Sequence, residues 1–296
     1  MTPKLGKKIL LLGASGLLGG RLAPVLRQQG HEVVTHSRAS ETHFRACLTD
    51  QTETEKLLDA ALPDIIINLS ALTDVEKCEL EPAKAYLENV HTVENVVEWI
   101  KRHKEGCFLV QISTDQVYDN EGPHAERDVT ITNYYGFSKF AGELVALTVP
   151  SVVLRVNFFG RSHTTHRESL SDWIYRSITT QSKIQVFDDV FFSPLSMETL
   201  SELINVAICK RFTGVFNLGS RHGMSKSDFA FLFAGALKLP TSNMTKTSKD
   251  RVAFLKAYRP KDMRMDCSKF EKQYGRELPN LESEIIKVSK EYCGTS

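Results

Sequence analysis

The first half of the chain alternates short apolar runs with longer segments whose apolar residues recur at three and four. Residues 8–12, 32–36, 64–69, 107–113 and 151–156 read as strands. Ile65-Ile66-Ile67 is apolar without alternation, as a strand covered on both faces requires. Helices are predicted between them at 17–29, 52–62, 82–103 and 133–149. In the longest, Val90, Val93, Val97 and Ile100 keep the helical period, and Pro82 suits a first turn. Such alternation predicts a parallel sheet with right-handed crossovers. After Arg155 the rhythm loosens. Residues 158–167 are polar and basic around Gly160 and read as a loop. Helices follow at 168–181, 197–210 and 225–237, with strands at 184–187 and 214–218.

The first strand runs directly into Gly13-Ala14-Ser15-Gly16-Leu17-Leu18-Gly19. Strand, glycine turn and helix form the context of a dinucleotide site. The glycines let the backbone approach a pyrophosphate, which rests on the amides and dipole of the helix N-terminus. Lys7-Lys8 before an apolar core also resembles a secretory signal, but that core is short and glycines interrupt it. Arg21 and Arg27 then follow, with another strand-like run close behind.

Near the middle stand Ser113-Thr114-Asp115-Gln116 and, after a loop, Tyr135-Gly136-Phe137-Ser138-Lys139. On a helix, Tyr135 and Lys139 share one face. A neighbouring cation favours the phenolate, lowering a tyrosine pKa that is ordinarily ~10. The phenol can then trade a proton with a substrate oxygen near neutral pH. The Thr114 hydroxyl can serve the same oxygen. The Tyr–Lys spacing is common in helices, and the glycine turn upstream is what gives it weight.

The second strand leads into Ser37 and Arg38, where NAD-preferring sites usually carry an acid for the ribose 2′-hydroxyl. A guanidinium can instead bind a 2′-phosphate bidentately. NADP(H) is therefore predicted as cofactor, with NAD(H) as an accepted second. Among the 296 residues, 37 basic and 36 acidic side chains nearly cancel, so neither nucleic acid nor an anionic membrane is implied as a partner. No apolar run is long enough to span a bilayer. The six cysteines are scattered and read as reduced thiols of a cytoplasmic enzyme. His163 and His166 lack a third ligand at a convincing spacing, so no metal site is predicted.

The glycine spacing, the Thr ending the fourth strand of the alternation and the Y-x-x-x-K together resemble the extended short-chain dehydrogenase/reductases. Within them, four stretches are similar to the dTDP-4-dehydrorhamnose reductase family: Ile112 to Asp119, Tyr135 to Glu143, Phe187 to Pro194, and Arg259-Pro260 with Arg264-Met265-Asp266. The resemblance implies a Rossmann-type doubly wound parallel sheet in an α/β fold, with a smaller, interleaved C-terminal substrate domain. Residues 1–155 would form the dinucleotide-binding domain and 184–218 would rejoin it. Residues 156–183 and 219–296 would bind substrate.

The resemblance also implies roles. Thr114, Tyr135 and Lys139 are catalytic, and Lys139 also holds the nicotinamide ribose. Gly13, Ser15, Gly16, Leu17, Leu18, Gly19, Ser37, Arg38, Leu48, Leu69, Ser70 and Ala71 line the cofactor. Cys47 stands where relatives often have an adenine-binding Asp. Thr73, Gln116, Asn157 and Phe158 meet the substrate, and the basic loop Arg161, His163, His166, Arg167 either meets a pyrophosphate or is solvated. Nucleotide-sugar 4,6-dehydratases carry Thr-Asp-Glu where this chain has Thr114-Asp115-Gln116. An amide does not ionise near neutral pH, so dehydration is disfavoured. The implied activity is NADPH-dependent reduction of the 4-keto group of a nucleotide-linked 4-keto-6-deoxyhexose in deoxysugar (dTDP-rhamnose) synthesis. The alternatives are an NADP-binding regulatory subunit resembling the methionine adenosyltransferase β subunit, and a nucleotide-sugar epimerase. Relatives often pair as homodimers through helices equivalent to 82–103 and 133–149.

Overall fold

A computed structural model of the chain describes residues 6–38, 42–103, 106–164, 167–252 and 255–293. It resolves into two compact units. The first comprises residues 1–113, 134–154 and 201–215, and the second 114–133, 155–200 and 216–296.

The first unit opens with β1 (Lys8–Leu12), α1 (Leu17–Gln28), β2 (Glu32–Ser37), β3 (Phe44–Arg45), α2 (Gln51–Ala61) and β4 (Ile65–Asn68). Next come α3 (Val75–Leu80), α4 (Pro82–Tyr86), a π-helical turn (Leu87–His91) and α5 (Thr92–His103). β5 (Phe108–Thr114), α6 (Tyr134–Ala146) and β6 (Ser151–Val156) follow. Seven strands make one sheet in the order β11-β6-β5-β4-β1-β2-β3, where β11 is Gly214–Leu218. The pairings from β3 through β2, β1 and β4 to β5 are all parallel, with Leu12 beside His36 and Asn68. This is the strand order of a dinucleotide-binding doubly wound sheet.

Burial explains the apolar runs. Ile9 to Leu12 and Ile65 to Ile67 are fully buried, and Leu10, Leu12, Ile66, Leu109 and Val153 share a core with Leu57, Val96 and Trp99. Asp50 caps α2 by accepting the Glu53 amide at 2.9 Å.

The second unit contains β7 (Phe158–Phe159), α7 (Leu170–Thr179), β8 (Ile184–Phe187), β9 (Phe191–Phe192) and β10 (Leu195–Ser196). α8 (Met197–Lys210) begins there, and β12 (Met224–Ser225), α9 (Lys226–Ala236), β13 (Met244–Thr247), α10 (Ser268–Tyr274) and α11 (Leu281–Tyr292) complete it. Its core is aromatic, with Phe229 edge-on to Phe159 at 4.8 Å.

Three expectations change. The helix predicted over 82–103 is not uniform, because its middle widens into the π turn. Residues 184–187 do form a strand, but β8 pairs with β13 in a separate two-stranded sheet, so β11 is the later strand that joins the large one. Residues 114–133 and 184–200 belong to the second unit.

Candidate active site

In the first unit, the Gly13 and Ala14 amides both donate to the His36 carbonyl, at 3.1 and 2.9 Å. Gly13 has φ +78°, and a Cβ there would lie 2.9 Å from the Ser70 nitrogen. A Cβ on Gly19 would lie 2.5 Å from the Ala14 carbonyl oxygen. Both glycines are therefore demanded by close backbone approach. No side chain caps α1 at Gly16, which leaves its leading amides to solvent or a phosphate. Ser15 and Leu17 are half-buried and Leu18 is buried. Leu69, Ser70 and Ala71 form the facing loop, where the Ser70 amide donates to Asn68 Oδ1 at 3.0 Å.

The π turn holds this loop. Asn89 accepts the Leu72 amide at 2.7 Å and donates to the Leu72 carbonyl at 3.0 Å and to Ser138 Oγ at 2.9 Å. Gly142 lets α6 close on that turn, since a Cβ would sit 2.5 Å from the Asn89 carbonyl oxygen. π turns recur at functional sites.

On α6, Tyr135 is 7% exposed and packs with Cys78 and Ala85. Lys139 is also buried and donates to the Ile112 carbonyl at 2.7 Å. Burial pushes its pKa down to about 8, against an opposing pull from Glu143 one turn on. Glu143 is itself buried and accepts Ser113 Oγ at 2.5 Å. Burial, with Asp74 and Glu79 nearby, raises the Cys78 thiol to about 11.

The other residues expected at the cofactor, and Thr73 expected at the substrate, also lie in the first unit. Ser37 is buried, and Arg38 Nη1 donates to Glu88 Oε1 at 2.7 Å. Leu48 lies in the core, its carbonyl held by Thr54 Oγ1 and Asn95 Nδ2. Cys47 Sγ meets Thr49 Oγ1 at 3.0 Å. Thr73 is exposed on the loop before α3.

In the second unit, Thr114 Oγ1 donates to Asp115 Oδ1 at 3.2 Å and accepts the Gln116 amide. Asp115 is buried, and Asn157 Nδ2 donates to its Oδ2 at 2.5 Å. Burial raises the Asp115 pKa to about 6, with Asn157 and Lys226 opposing. Burial likewise lowers that of Lys226. Gln116 Oε1 accepts Asn133 Nδ2 at 3.4 Å. Phe158 is half-buried, in β7 beside Leu195. Thr114, Asp115 and Asn157 are thus joined, whereas Phe158 belongs to a strand that was read as loop.

The remaining motif residues hold the unit together. Arg155 donates to Tyr118 Oη and the Glu126 carbonyl, both at 2.7 Å, and Tyr118 Oη donates to Asn217 at 2.6 Å. Asp189 accepts Ser248 Oγ and the Lys249 amide, and Asp262 accepts Arg264 and the Gly122 amide. Arg161 donates to the Glu291 carbonyl at 2.6 Å and lies over the Tyr292 ring, so it is anchored while remaining exposed. His166 lies outside the described residues. Glu88, Glu143 and Lys226 escaped sequence reasoning. Glu143 had a local signal, since it stands one turn beyond Lys139 on the same helix. Glu88 and Lys226 had none.

The family model for the RmlD substrate binding domain matches residues 7–293. The chain belongs to this family. A probable low-salt glycan biosynthesis reductase, Agl14, of Haloferax volcanii is 29% identical over 96% of this chain and 98% of its own. Methionine adenosyltransferase 2 subunit beta of Rattus norvegicus is 26% identical over 90% of this chain and 82% of its own. A dTDP-4-dehydrorhamnose reductase of Bacillus anthracis, solved in complex with NADP, superposes with a TM-score of 0.86 at 22% identity, covering 97% of this chain and all of that one. That RmlD-family likeness extends along nearly the whole chain, which agrees with the seven-stranded sheet.

Proposed function

We propose that this RmlD-family protein is a reductase that uses NADPH, and accepts NADH, to reduce the 4-keto group of a nucleotide-linked 4-keto-6-deoxyhexose. The observation that carries this reading is the pairing of buried Tyr135 and Lys139 on α6 in a chain with a glycine cradle after β1. Backbone contacts at Gly13 and Gly19 keep the turn tight, and the start of α1, which no side chain caps, suits a pyrophosphate. NADPH, when bound, would supply the hydride. Tyr135 gives the proton to the forming alkoxide, and Thr114 donates a hydrogen bond to the same oxygen. Lys139 has three N–H donors, one spent on Ile112, leaving two for the ribose and the phenol. Gln116, Asn157, Phe158 and Thr73 are the proposed sugar-nucleotide contacts. Gln116 supports reduction over dehydration, because its amide supplies no base.

Incubation with NADPH and dTDP-4-dehydrorhamnose is expected to consume the nicotinamide absorbance stoichiometrically with substrate. No consumption by folded, nucleotide-bound protein removes the reading. The likeness to the methionine adenosyltransferase β subunit favours a second reading, a nucleotide-binding regulatory subunit. That one requires a stable partner enzyme in a pull-down and no turnover of the sugar.

Among the described residues no helix is long and apolar enough to cross a membrane. The proposed reaction belongs in the cytoplasm. Leu80, Tyr86, Leu87, Tyr134, Phe137 and Leu144 are each at least 45% exposed on α3, α4, the π turn and α6. We read them as the pairing face of a homodimer. Sedimentation velocity is expected to show twice the chain mass, and a monomer at micromolar concentration refutes this.

A further inference from the structure

We propose that Glu88 sets the balance between NADPH and NADH by competing with the 2′-phosphate for Arg38. The inference rests on the nucleotide-binding reading of the glycine turn. Arg38 directly follows Ser37, at the end of β2, where a dinucleotide fold reads the ribose 2′ position. β2 supplies no acid there. The carboxylate instead arrives from the π turn, where Glu88 Oε1 accepts Arg38 Nη1 at 2.7 Å.

The two partners are unequal. The Arg38 side chain is 57% exposed and that of Glu88 only 15%. Glu88 is also fixed from behind, since its carbonyl accepts Thr92 Oγ1 at 2.8 Å and the next residue, Asn89, is bonded to Leu72 and Ser138. The guanidinium can therefore shift more readily than the carboxylate. An arriving 2′-phosphate must take Arg38 from Glu88 or share it beside a like charge. A neutral 2′-hydroxyl meets no such conflict and can donate to the carboxylate. Glu88 thus tempers the NADPH preference that Arg38 alone would confer.

The test is titration of the full chain with NADPH and with NADH, followed by nicotinamide fluorescence, without sugar substrate. Glu88→Gln keeps the shape and removes the charge. It is expected to raise the ratio Kd(NADH)/Kd(NADPH) about fivefold, with the gain shrinking in high salt. Glu88→Ser serves as a second variant should the glutamine disturb folding, and it should shift the ratio the same way. Arg38→Ala is expected to lower the ratio, and adding Glu88→Gln to it should raise it by less than in the wild type, because only the direct repulsion between carboxylate and phosphate is left to relieve. An unmoved or lowered ratio in folded Glu88 variants overturns the role of Glu88 while leaving the nucleotide site standing. If the wild type binds neither nucleotide, the underlying reading and this inference fall together.

Discussion

Tyr135→Phe is expected to lower the reductase kcat about a thousandfold while NADPH binding stays near wild type. The substitution removes one oxygen and keeps the ring. That ring is buried against Cys78 and Ala85, so packing and the α6 backbone should survive. What disappears is the proton donor for the forming alkoxide. Steady-state turnover and an NADPH titration on the same preparation separate the two effects. Retention of more than about a tenth of wild-type kcat would mean that the proton comes from another group.

Lys139→Met is expected to abolish most activity and yet stabilise the fold at neutral pH. The ammonium is buried, with a pKa lowered to about 8 from 10.5. Between those values the unfolded chain binds more protons than the native one, so wild-type stability rises with pH across that window. Below it, the full cost of burying the charge is present, on the order of 3 kcal/mol. Methionine removes that cost but also removes the bond to the Ile112 carbonyl, so the net gain is smaller. Denaturant midpoints at pH 7 and pH 10 should show the advantage of the variant narrowing as pH rises. The same titration bears on catalysis. Wild-type kcat/KM is expected to decline above about pH 8, as Lys139 loses its proton and its hold on the phenol. A stabilisation that grows with pH, or a flat rate profile, would contradict this account.

Much of the fold could be read from the pattern of apolar residues. The predicted ends of β1, β6, β8, α8 and β11 coincide with the observed ones, because each is set by glycine, proline or charge beside a buried run. Partner choice was harder. The alternation in Ile184–Phe187 says that one face is buried but not what it pairs with, and the partner turned out to be Met244–Thr247. The widened turn in 82–103 was invisible for a related reason. Val90, Val93, Val97 and Ile100 keep their spacing whether or not the preceding turn takes in an added residue.

In the candidate site, residues tied to a local motif were nameable as candidates: the glycine turn, Thr114, Tyr135 and Lys139. Their charged neighbours were not. Asp115 feels Lys226, and Arg38 meets Glu88, through tertiary contacts across long stretches of chain. Arg38 was read as an unopposed phosphate ligand because its opposing carboxylate lies on another element.

The turn at Leu87–His91 hangs two attachments on a single irregularity. Glu88 reaches one way, to Arg38, and Asn89 another, to the Leu72 backbone. Excising one residue would restore ordinary winding and draw in the bulge that carries Glu88 and Asn89. The tidier helix would drop both moorings together. Changes of length at this junction should therefore be far scarcer than changes of residue type, since a shortened chain has no second way to keep either grip.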